Sequence, residues 1–365
     1  MDYFPPPHPD NWATAEAPDA DTLAAAARYA AEHETPWARD LAAVVAQNFE
    51  ERPPWNETLG PVRSRGAPNG LVLHGGKIIA EWGDTAQVDM TFSVPKSYLS
   101  ILAGLAWERG LIRDPHDPVR LTVEDGGFEP PHNDRITWHH LLQQTSEWEG
   151  ELWGKPDLID RNRAVGGRQG PAPKGTHRDL RQPGEFWEYN DVRVNRLSLA
   201  LLRLWRRPLP EVFNELVMDP IGASHDWEWH GYRNSYVEID GKRMQSVSGG
   251  GHWGGGVFIS ARDQARIGLM LLRRGVWGER RILSEAWLER MLEPCPLFRN
   301  YGYLWWLNTA RGLYPSASAA SYYARGAGGN LTWIDPDNDI VAVLRWTDPA
   351  AIDGFMKLTM AAMRR

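Results

Sequence analysis

The chain has 365 residues, of which 42% are hydrophobic, and a formal net charge of −7. That is enough apolar material for a large core, and the acidic balance argues against a nucleic-acid-binding surface. Its single cysteine, Cys295, excludes an intramolecular disulfide framework. No apolar run reaches the length of a membrane span, and the first residues do not resemble a signal peptide. We therefore expect a cytoplasmic protein that binds neither nucleic acid nor membranes.

Apolar residues at helical spacing predict helices along much of the chain. The predicted helices cover residues 21–33, 38–48, 93–109, 136–143, 191–205, 209–217, 261–274 and 350–364. Two hairpins are predicted near the ends of this set. One covers residues 71–83 around Gly75-Gly76, and the other covers residues 331–346 with a turn at Asp335–Asn338.

Strand pairs near both ends, with helices between and outside them, indicate an α+β fold. We expect an antiparallel sheet flanked by helices, together with an all-helical region. Residues 1–60 would be an N-terminal extension whose helices pack on the core. The domain proper would be 61–365, with a sheet part at about 61–92 and 250–365 and a helical part at about 93–249.

A candidate nucleophile lies at the start of the helix predicted over 93–109. Pro95 suits an early helix position, so Ser93 lies at or just before the helix N-terminus. Lys96 follows three residues later and shares a helical face with Ser93, within reach of its hydroxyl. The helix N-terminus favours developing negative charge, and the Ser93 N–H is free to hold an oxyanion. The S-x-x-K motif alone is close to chance expectation, so its context decides its weight.

Other motifs favour neither a cofactor nor a metal. GGGHWGGG (249–256) matches G-x-G-x-x-G, but a strand-like triplet follows it where a dinucleotide loop requires a helix. A glycine stretch that lets backbone approach the site closely is the better interpretation. Residues 225–230 contain two histidines without tight ligand spacing, so we predict a surface loop there.

Five ordered segments resemble the superfamily of serine β-lactamases, DD-peptidases and class C-like esterases, especially its 6-aminohexanoate-dimer hydrolase branch. The hairpin at 71–83 precedes FSVPKS, and the other segments are ITWHHLLQQTSEWEG (136–150), GEFWEYNDVRVNRLSLALL (184–202), GGGHWGGGVFISARDQARIGLMLLRRG (249–275) and ARGAGGNLTWIDPDNDIVAVLRW (324–346). The resemblance covers about 70–346 and implies the fold of that superfamily. Residues 1–60 lie outside it, and whether they cap the sheet or form a homodimer contact is open.

The resemblance also implies site residues. Ser93 and Lys96 would be the S-x-x-K pair, and Tyr189 would match the tyrosine of the Y-x-N element, which exchanges protons with the nucleophile and leaving group. The Ser93 and Ala327 N–H groups would form the oxyanion hole. Further candidates for the substrate pocket are Asn190, Asp191, Trp148, His252, Trp253, Arg325, Gly326 and Gly328.

Two departures from the family pattern matter. Asp191 stands where Y-x-N has asparagine. A carboxylate there favours a charged Lys96 that tunes Tyr189 over a free base; alternatively, Asn190 turns inward. Ala324 stands where the strand motif has a cation, and Arg325 is expected on the other face of the strand. A β-lactam is therefore a doubtful substrate.

We predict a serine hydrolase that cleaves a small ester or amide, including amide oligomers, through an acyl-enzyme on Ser93, without metal or cofactor. One alternative is a D-amino-acid amidase, peptidase or β-lactamase activity. The other is a binding or sensor protein of this fold that is acylated without turnover.

Overall fold

The computed structural model describes residues 2–7, 11–48, 51–251 and 253–364. Its α-helices are α1 (Ala20–Glu32), α2 (Leu41–Asn48), α3 (Val94–Glu108), α4 (Trp138–Leu142), α5 (Asp191–Trp205), α6 (Leu209–Phe213), α7 (Ala261–Leu272), α8 (Glu285–Met291) and α9 (Ile352–Ala362). Its strands are β1 (Asn69–His74), β2 (Lys77–Trp82), β3 (Asp89–Met90), β4 (Glu151–Leu152), β5 (Lys155–Pro156), β6 (Glu228–Ile239), β7 (Lys242–Val247), β8 (Gly256–Ile259), β9 (Val276–Trp277), β10 (Arg280–Arg281), β11 (Trp306–Leu307), β12 (Tyr322–Gly326), β13 (Asn330–Asp335) and β14 (Ile340–Arg345).

A six-stranded antiparallel sheet has the order β11-β12-β13-β14-β1-β2. Both hairpins predicted from the sequence are present, as β1–β2 and β13–β14. They meet through β1 and β14, with Asn69 opposite Arg345. Strands from distant parts of the chain thus form one continuous sheet. A second sheet has the order β3-β8-β6-β7, and its strand β3 ends at Met90, just before α3.

Helices cover both faces of the six-stranded sheet. Gly268 of α7 lies directly against the side chains of Val341 and Thr332. Trp82 is on the opposite face of the sheet. It pairs with Gly70, which in turn pairs with Leu344. Leu344 is three residues from Val341, and side chains alternate between faces along a strand. The Trp82 ring packs 5.6 Å from that of Phe355 in α9, and α1 packs on α9 and β2. The α+β class with a helix-flanked antiparallel sheet is confirmed.

Helix α3 is buried from Val94 to Ala106. It contacts β12 and β13 of the large sheet on one side and α5 and α6 on the other. An almost wholly apolar helix of this kind is stable only as a central core element. Its N-terminus, and Ser93 with it, is therefore fixed between the sheet and the helical region.

The structure differs from the sequence prediction in three elements. First, strands β6 and β7 form a hairpin inside the range expected to be helical. Second, Glu228–His230 pair with β8, so the surface loop predicted over 225–230 is wrong for its second half. The helix predicted over 209–217 is α-helical only to Phe213 and continues as a π-helix to Met218. At the start of the β6–β7 hairpin, the side chains of Trp227, Trp229 and Tyr232 are buried. Tertiary packing therefore overrides the polar local composition of this segment. Within the described ranges, no helix has the length and apolarity required to cross a membrane.

Candidate active site

Ser93 is the N-cap residue of α3, and its side chain makes no capping hydrogen bond. The hydroxyl is therefore not tied to the helix it begins. The preceding residue, Phe92, has φ +52°, a left-handed conformation that is costly for a bulky side chain. Its ring is buried and packs edge-on against Trp37, with ring centroids 5.3 Å apart. Packing thus holds a strained backbone turn that presents Ser93 at the helix start.

Lys96 lies one turn further along α3, with only 2% of its surface exposed. Its Nζ is 2.8 Å from Ser93 Oγ, 2.7 Å from Gly250 O and 2.9 Å from Asp191 Oδ1. These three partners suit both protonation states. An ammonium donates one hydrogen bond to each, whereas a neutral amine donates to Gly250 O and Asp191 and accepts from the Ser93 hydroxyl. A proton can therefore pass between Ser93 and Lys96 without a change of geometry.

Asn190 and Asp191, the two candidates for the asparagine position of the Y-x-N element, point to different parts of the structure. Asn190 is the N-cap of α5, where its Oδ1 accepts from the N–H groups of Val192 and Arg193. Its Nδ2 donates to Asp157 O. Asp191, the first residue of α5, is the one that faces Lys96. Of the two alternatives left by the sequence, the carboxylate stands beside the lysine, because capping α5 holds the asparagine side chain elsewhere.

Asp191 has a second cationic partner that sequence reasoning missed. Arg163 Nη1 lies 3.1 Å from Asp191 Oδ2 and 3.3 Å from Asp160 Oδ2. Burial lowers the pKa of the Arg163 guanidinium, but the carboxylates of Asp160 and Asp191 outweigh this and raise it above its usual value. Asp160 also accepts from the Asp191 N–H at 2.6 Å. Lys96, Asp191, Arg163 and Asp160 therefore form a continuous chain of alternating charge, in which Arg163 alone is partly exposed.

A glycine segment encloses the other side of the lysine. Lys96 Nζ lies 3.3 Å from Gly249 O as well as against Gly250 O. A Cβ at Gly250 would lie 1.5 Å from Phe92 O, and one at Gly251 would lie 2.7 Å from Asp191 Oδ2. Only glycine permits this close backbone approach. The sequence interpretation of GGGHWGGG as a close-approach segment rather than a cofactor loop agrees with this position, and His252 lies outside the described residues.

The end of β12 lies against the N-terminus of α3. A Cβ at Gly326 would be 1.9 Å from Thr91 O and 3.2 Å from the Ser93 backbone nitrogen. Ala327 follows directly in the turn after β12. The strand end therefore lies next to the Ser93 N–H, where an oxyanion hole formed by the Ser93 and Ala327 N–H groups is expected.

Replacing Gly326 with alanine is expected to lower kcat by about 100-fold, because the added methyl group must displace the backbone beside Ser93. The measurement is steady-state hydrolysis of a nitrophenyl ester together with the thermal unfolding midpoint. Ala327→Gly is the matched control, since it changes the next residue but keeps the N–H. If Gly326→Ala keeps the wild-type kcat, the strand end does not border the reacting atoms.

Tyr189 is 3% exposed and lies beside the two cations of the site. Lys96 Nζ and Arg163 Cζ are each 5.2 Å from the centroid of its ring. The structure thus brings Tyr189 next to Lys96, and its part in proton transfer remains a prediction.

The other pocket candidates are scattered around this centre. Trp148 is buried and donates from Nε1 to Gly127 O, and Trp253 is buried and donates to Trp55 O. Gly328 packs near the Trp37 and Trp346 rings. Arg325 is half-buried, with its guanidinium 4.8 Å from the Trp306 ring centroid. Trp306 in turn lies 5.6 Å from Tyr189, so Arg325 reaches the site through an aromatic neighbour. Clusters of metal-binding side chains are absent from the described ranges.

A larger network of ion pairs includes Glu188 and Arg193, which flank Tyr189 and Asp191 in the chain. Arg193 pairs with Glu147, Asp157 and Glu188, and Arg178 pairs with Glu147 and Glu188. Burial by itself would raise the pKa of Glu147, but Arg178 and Arg193 outweigh it and hold the pKa at about 2. The carboxylate is thus ionised in the folded protein far below neutral pH. This network was not identified from the sequence, because its members are spread over residues 147–193 without a recognisable spacing.

We expect Glu147→Gln to destabilise the protein by about 3 kcal/mol at pH 7, because an unfolded glutamate has a pKa near 4.3. This contribution is fully present above the unfolded pKa and is lost as pH falls toward the folded value of about 2. The difference in unfolding free energy between wild type and variant should therefore shrink from pH 5 to pH 2, measured by urea titration. Glu149→Gln, whose side chain is 62% exposed, should change little. A difference independent of pH would contradict the assignment.

The chain is similar in sequence to known hydrolases. The family model described as "Beta-lactamase" matches residues 70–359. The chain is 29% identical over 308 residues to a 6-aminohexanoate-dimer hydrolase from Paenarthrobacter ureafaciens, covering 76% of this chain and 72% of that protein.

Solved structures share the fold at low identity. A hydrolase with promiscuous acyltransferase activity, EstCE1, matches 95% of this chain and 99% of its own, with a TM-score of 0.57 and 17% identity. A beta-lactamase from Mycobacterium bovis matches 83% of this chain and 94% of its own, with a TM-score of 0.53 and 18% identity. The expected β-lactamase/transpeptidase-like fold is thereby confirmed.

Proposed function

The chain belongs to the beta-lactamase family and is a hydrolase of that superfamily, and from this premise we propose that it cleaves a small linear amide or ester through an acyl-enzyme on Ser93. The observation that carries the proposal is the contact of 2.8 Å between Lys96 Nζ and Ser93 Oγ. Lys96 is itself oriented by Gly250 O and Asp191. A serine and a base within hydrogen-bond reach, with the base held by a third group, form an activated nucleophile.

In the acylation step, Ser93 Oγ attacks the substrate carbonyl carbon and its proton passes to Lys96. The carbonyl oxygen becomes an oxyanion, which the Ser93 and Ala327 N–H groups stabilise. Collapse of the tetrahedral intermediate breaks the bond to the amine or alcohol. That leaving group takes the proton back, directly from Lys96 or through Tyr189. Asp191 keeps its negative charge throughout and stabilises the ammonium form of Lys96.

In the deacylation step, water attacks the acyl carbon and gives its proton to the Lys96–Tyr189 unit. The new tetrahedral intermediate uses the same two N–H groups and expels Ser93 Oγ, which regains a proton. The acid is released and the serine is restored. The relative's name gives a dimer of 6-aminohexanoate as its substrate. Two amino acids condensed through amine and carboxylate are joined by an amide, so the name supports a linear amide as the substrate of this chain.

Fluorophosphonate labelling, followed by turnover assays on a panel of short esters and linear amides, tests the proposal. We expect Ser93 to be labelled and at least one panel member to be hydrolysed with multiple turnovers. Labelling without turnover across the panel would favour an acylated binding or sensor protein. Absence of labelling at Ser93 in folded protein would contradict the proposal.

A further inference from the structure

A cavity of about 150 Å³ lies beside Tyr189. It is lined by residues 162–163 and 168–171 and by Phe186, Trp187 and Glu188. Trp187 and Glu188 directly precede Tyr189, and Arg163, which also lines the cavity, is the residue that holds Asp191. The cavity is thus joined to the site through Arg163 and the 186–189 segment.

A tight turn presents Arg168 to this cavity. Val165 and Arg168 exchange backbone hydrogen bonds of 3.0 Å across Gly166 and Gly167, which both have positive φ. This is the geometry of a two-residue hairpin turn, for which glycines are favoured. A Cβ at Gly166 would lie 2.3 Å from the Trp306 ring. Since Trp306 also packs on Tyr189, the turn rests on the aromatic wall of the site.

The guanidinium of Arg168 lies among aromatic rings. Its Cζ is 5.6 to 5.9 Å from the ring centroids of Trp187, Phe186 and Phe298. Its Nη1 donates to Leu297 O at 3.0 Å. In the part of the chain that the structure describes, no carboxylate lies within ion-pair distance of it.

The other charges of the cavity are already balanced. Arg163 is paired with Asp160 and Asp191. Glu188 is paired with Arg178 and Arg193. The charge left without a partner is therefore the positive charge of Arg168. A cation held against apolar rings attracts an anion more strongly than one in open water.

Two uncharged polar atoms of the cavity-lining side chains also lack partners. Trp187 Nε1 is buried and makes no hydrogen bond to any described residue. A buried N–H without an acceptor is costly and is a natural site for one. Asn162 Oδ1 is likewise buried and unpaired, while its Nδ2 is occupied by Thr176. It can accept from a water or an N–H that enters with a ligand.

We propose that this cavity binds a carboxylate through Arg168 and Trp187 Nε1, and that the substrates are linear amides or esters with a terminal carboxylate. The substrate class rests on the proposed function, whereas carboxylate binding does not. A planar guanidinium and an indole N–H both suit carboxylate oxygens.

The test uses two probes of equal length, N-acetyl-6-aminohexanoate and the neutral N-acetyl-6-aminohexanamide. Their dissociation constants are measured by calorimetry on the Ser93→Ala protein, which has no nucleophile to consume them. We expect the carboxylate to bind 10- to 100-fold more tightly than the amide. Arg168→Gln in the same background should remove this preference, and Arg168→Lys should keep part of it. Arg280→Gln, on an exposed strand, is the matched control.

Equal affinity for the two probes, or no binding of either at millimolar concentration, would overturn the proposal. An equal loss of both probes in Arg168→Gln would assign the arginine a purely structural role. The control variant Arg280→Gln, with Ser93 intact, should hydrolyse a neutral nitrophenyl ester as the wild type does. Since labelling at Ser93 tests the proposed function separately, a failure of carboxylate binding is distinguishable from a failure of that function.

Discussion

Replacing Ser93 with alanine is expected to abolish turnover, with a loss in kcat of at least about 10,000-fold. The reason is that no other hydroxyl on α3 has a lysine amine at hydrogen-bond distance in the described structure: Ser97 Oγ donates to Leu304 O instead. The fold should survive, because the Ser93 side chain makes no capping hydrogen bond. Steady-state kinetics on the best substrate of the panel, together with the thermal unfolding midpoint, measure both effects.

Ser100→Ala is the matched control for this variant. Ser100 lies on the same helix, is fully buried, and has an Oγ without a hydrogen-bond partner among the described residues. Removing that oxygen should leave both kcat and the unfolding midpoint close to wild type. Full activity of Ser93→Ala would refute the acyl-enzyme on Ser93, whatever the control shows.

Replacing Lys96 with methionine is expected to lower kcat/KM by about 100- to 10,000-fold, the range for loss of a general base. Methionine keeps the apolar stem and removes the group that takes the proton of Ser93. The variant should fold, because Asp191 keeps Arg163 at 3.1 Å as a cationic partner. Removing one partner of a buried pair is most damaging when the other is left alone.

Lys155→Met is the matched control for Lys96. Lys155 is also buried, and its Nζ donates to Glu57 O at 3.0 Å. Burial lowers the pKa of Lys155 to about 8. Judged by its pKa alone, the Lys155 amine could therefore act as a general base near neutral pH. Its amine is held against the Trp253 ring and backbone carbonyls, however, and not against Ser93. A loss of kcat as large in Lys155→Met as in Lys96→Met, with both variants folded, would mean that burial of a cation and not contact with the nucleophile governs activity.

The elements that local pattern specifies were predictable. The hairpins at 71–83 and 331–346 each have apolar strand residues on both sides of strong turn residues. The helix that begins at Ser93 is marked by an early proline and by the run of apolar residues that follows. The β6–β7 hairpin was missed because its strands mix tryptophan and histidine with charged residues. Only their packing against the core identifies those side chains as buried.

The sequence by itself determined the α+β class, the family, and the closeness of Ser93 and Lys96, since a spacing of three residues on one helix fixes that distance. It also named Asp191 and Asn190 as alternatives. Tertiary structure decided between them, because capping α5 occupies Asn190 and leaves Asp191 beside Lys96. The contacts of Arg163, Gly250 and Arg168 were likewise decided only by the fold. They join loops far apart in the chain, and no periodicity encodes such a contact; long-range packing alone brings their charges and carbonyl groups to the nucleophile.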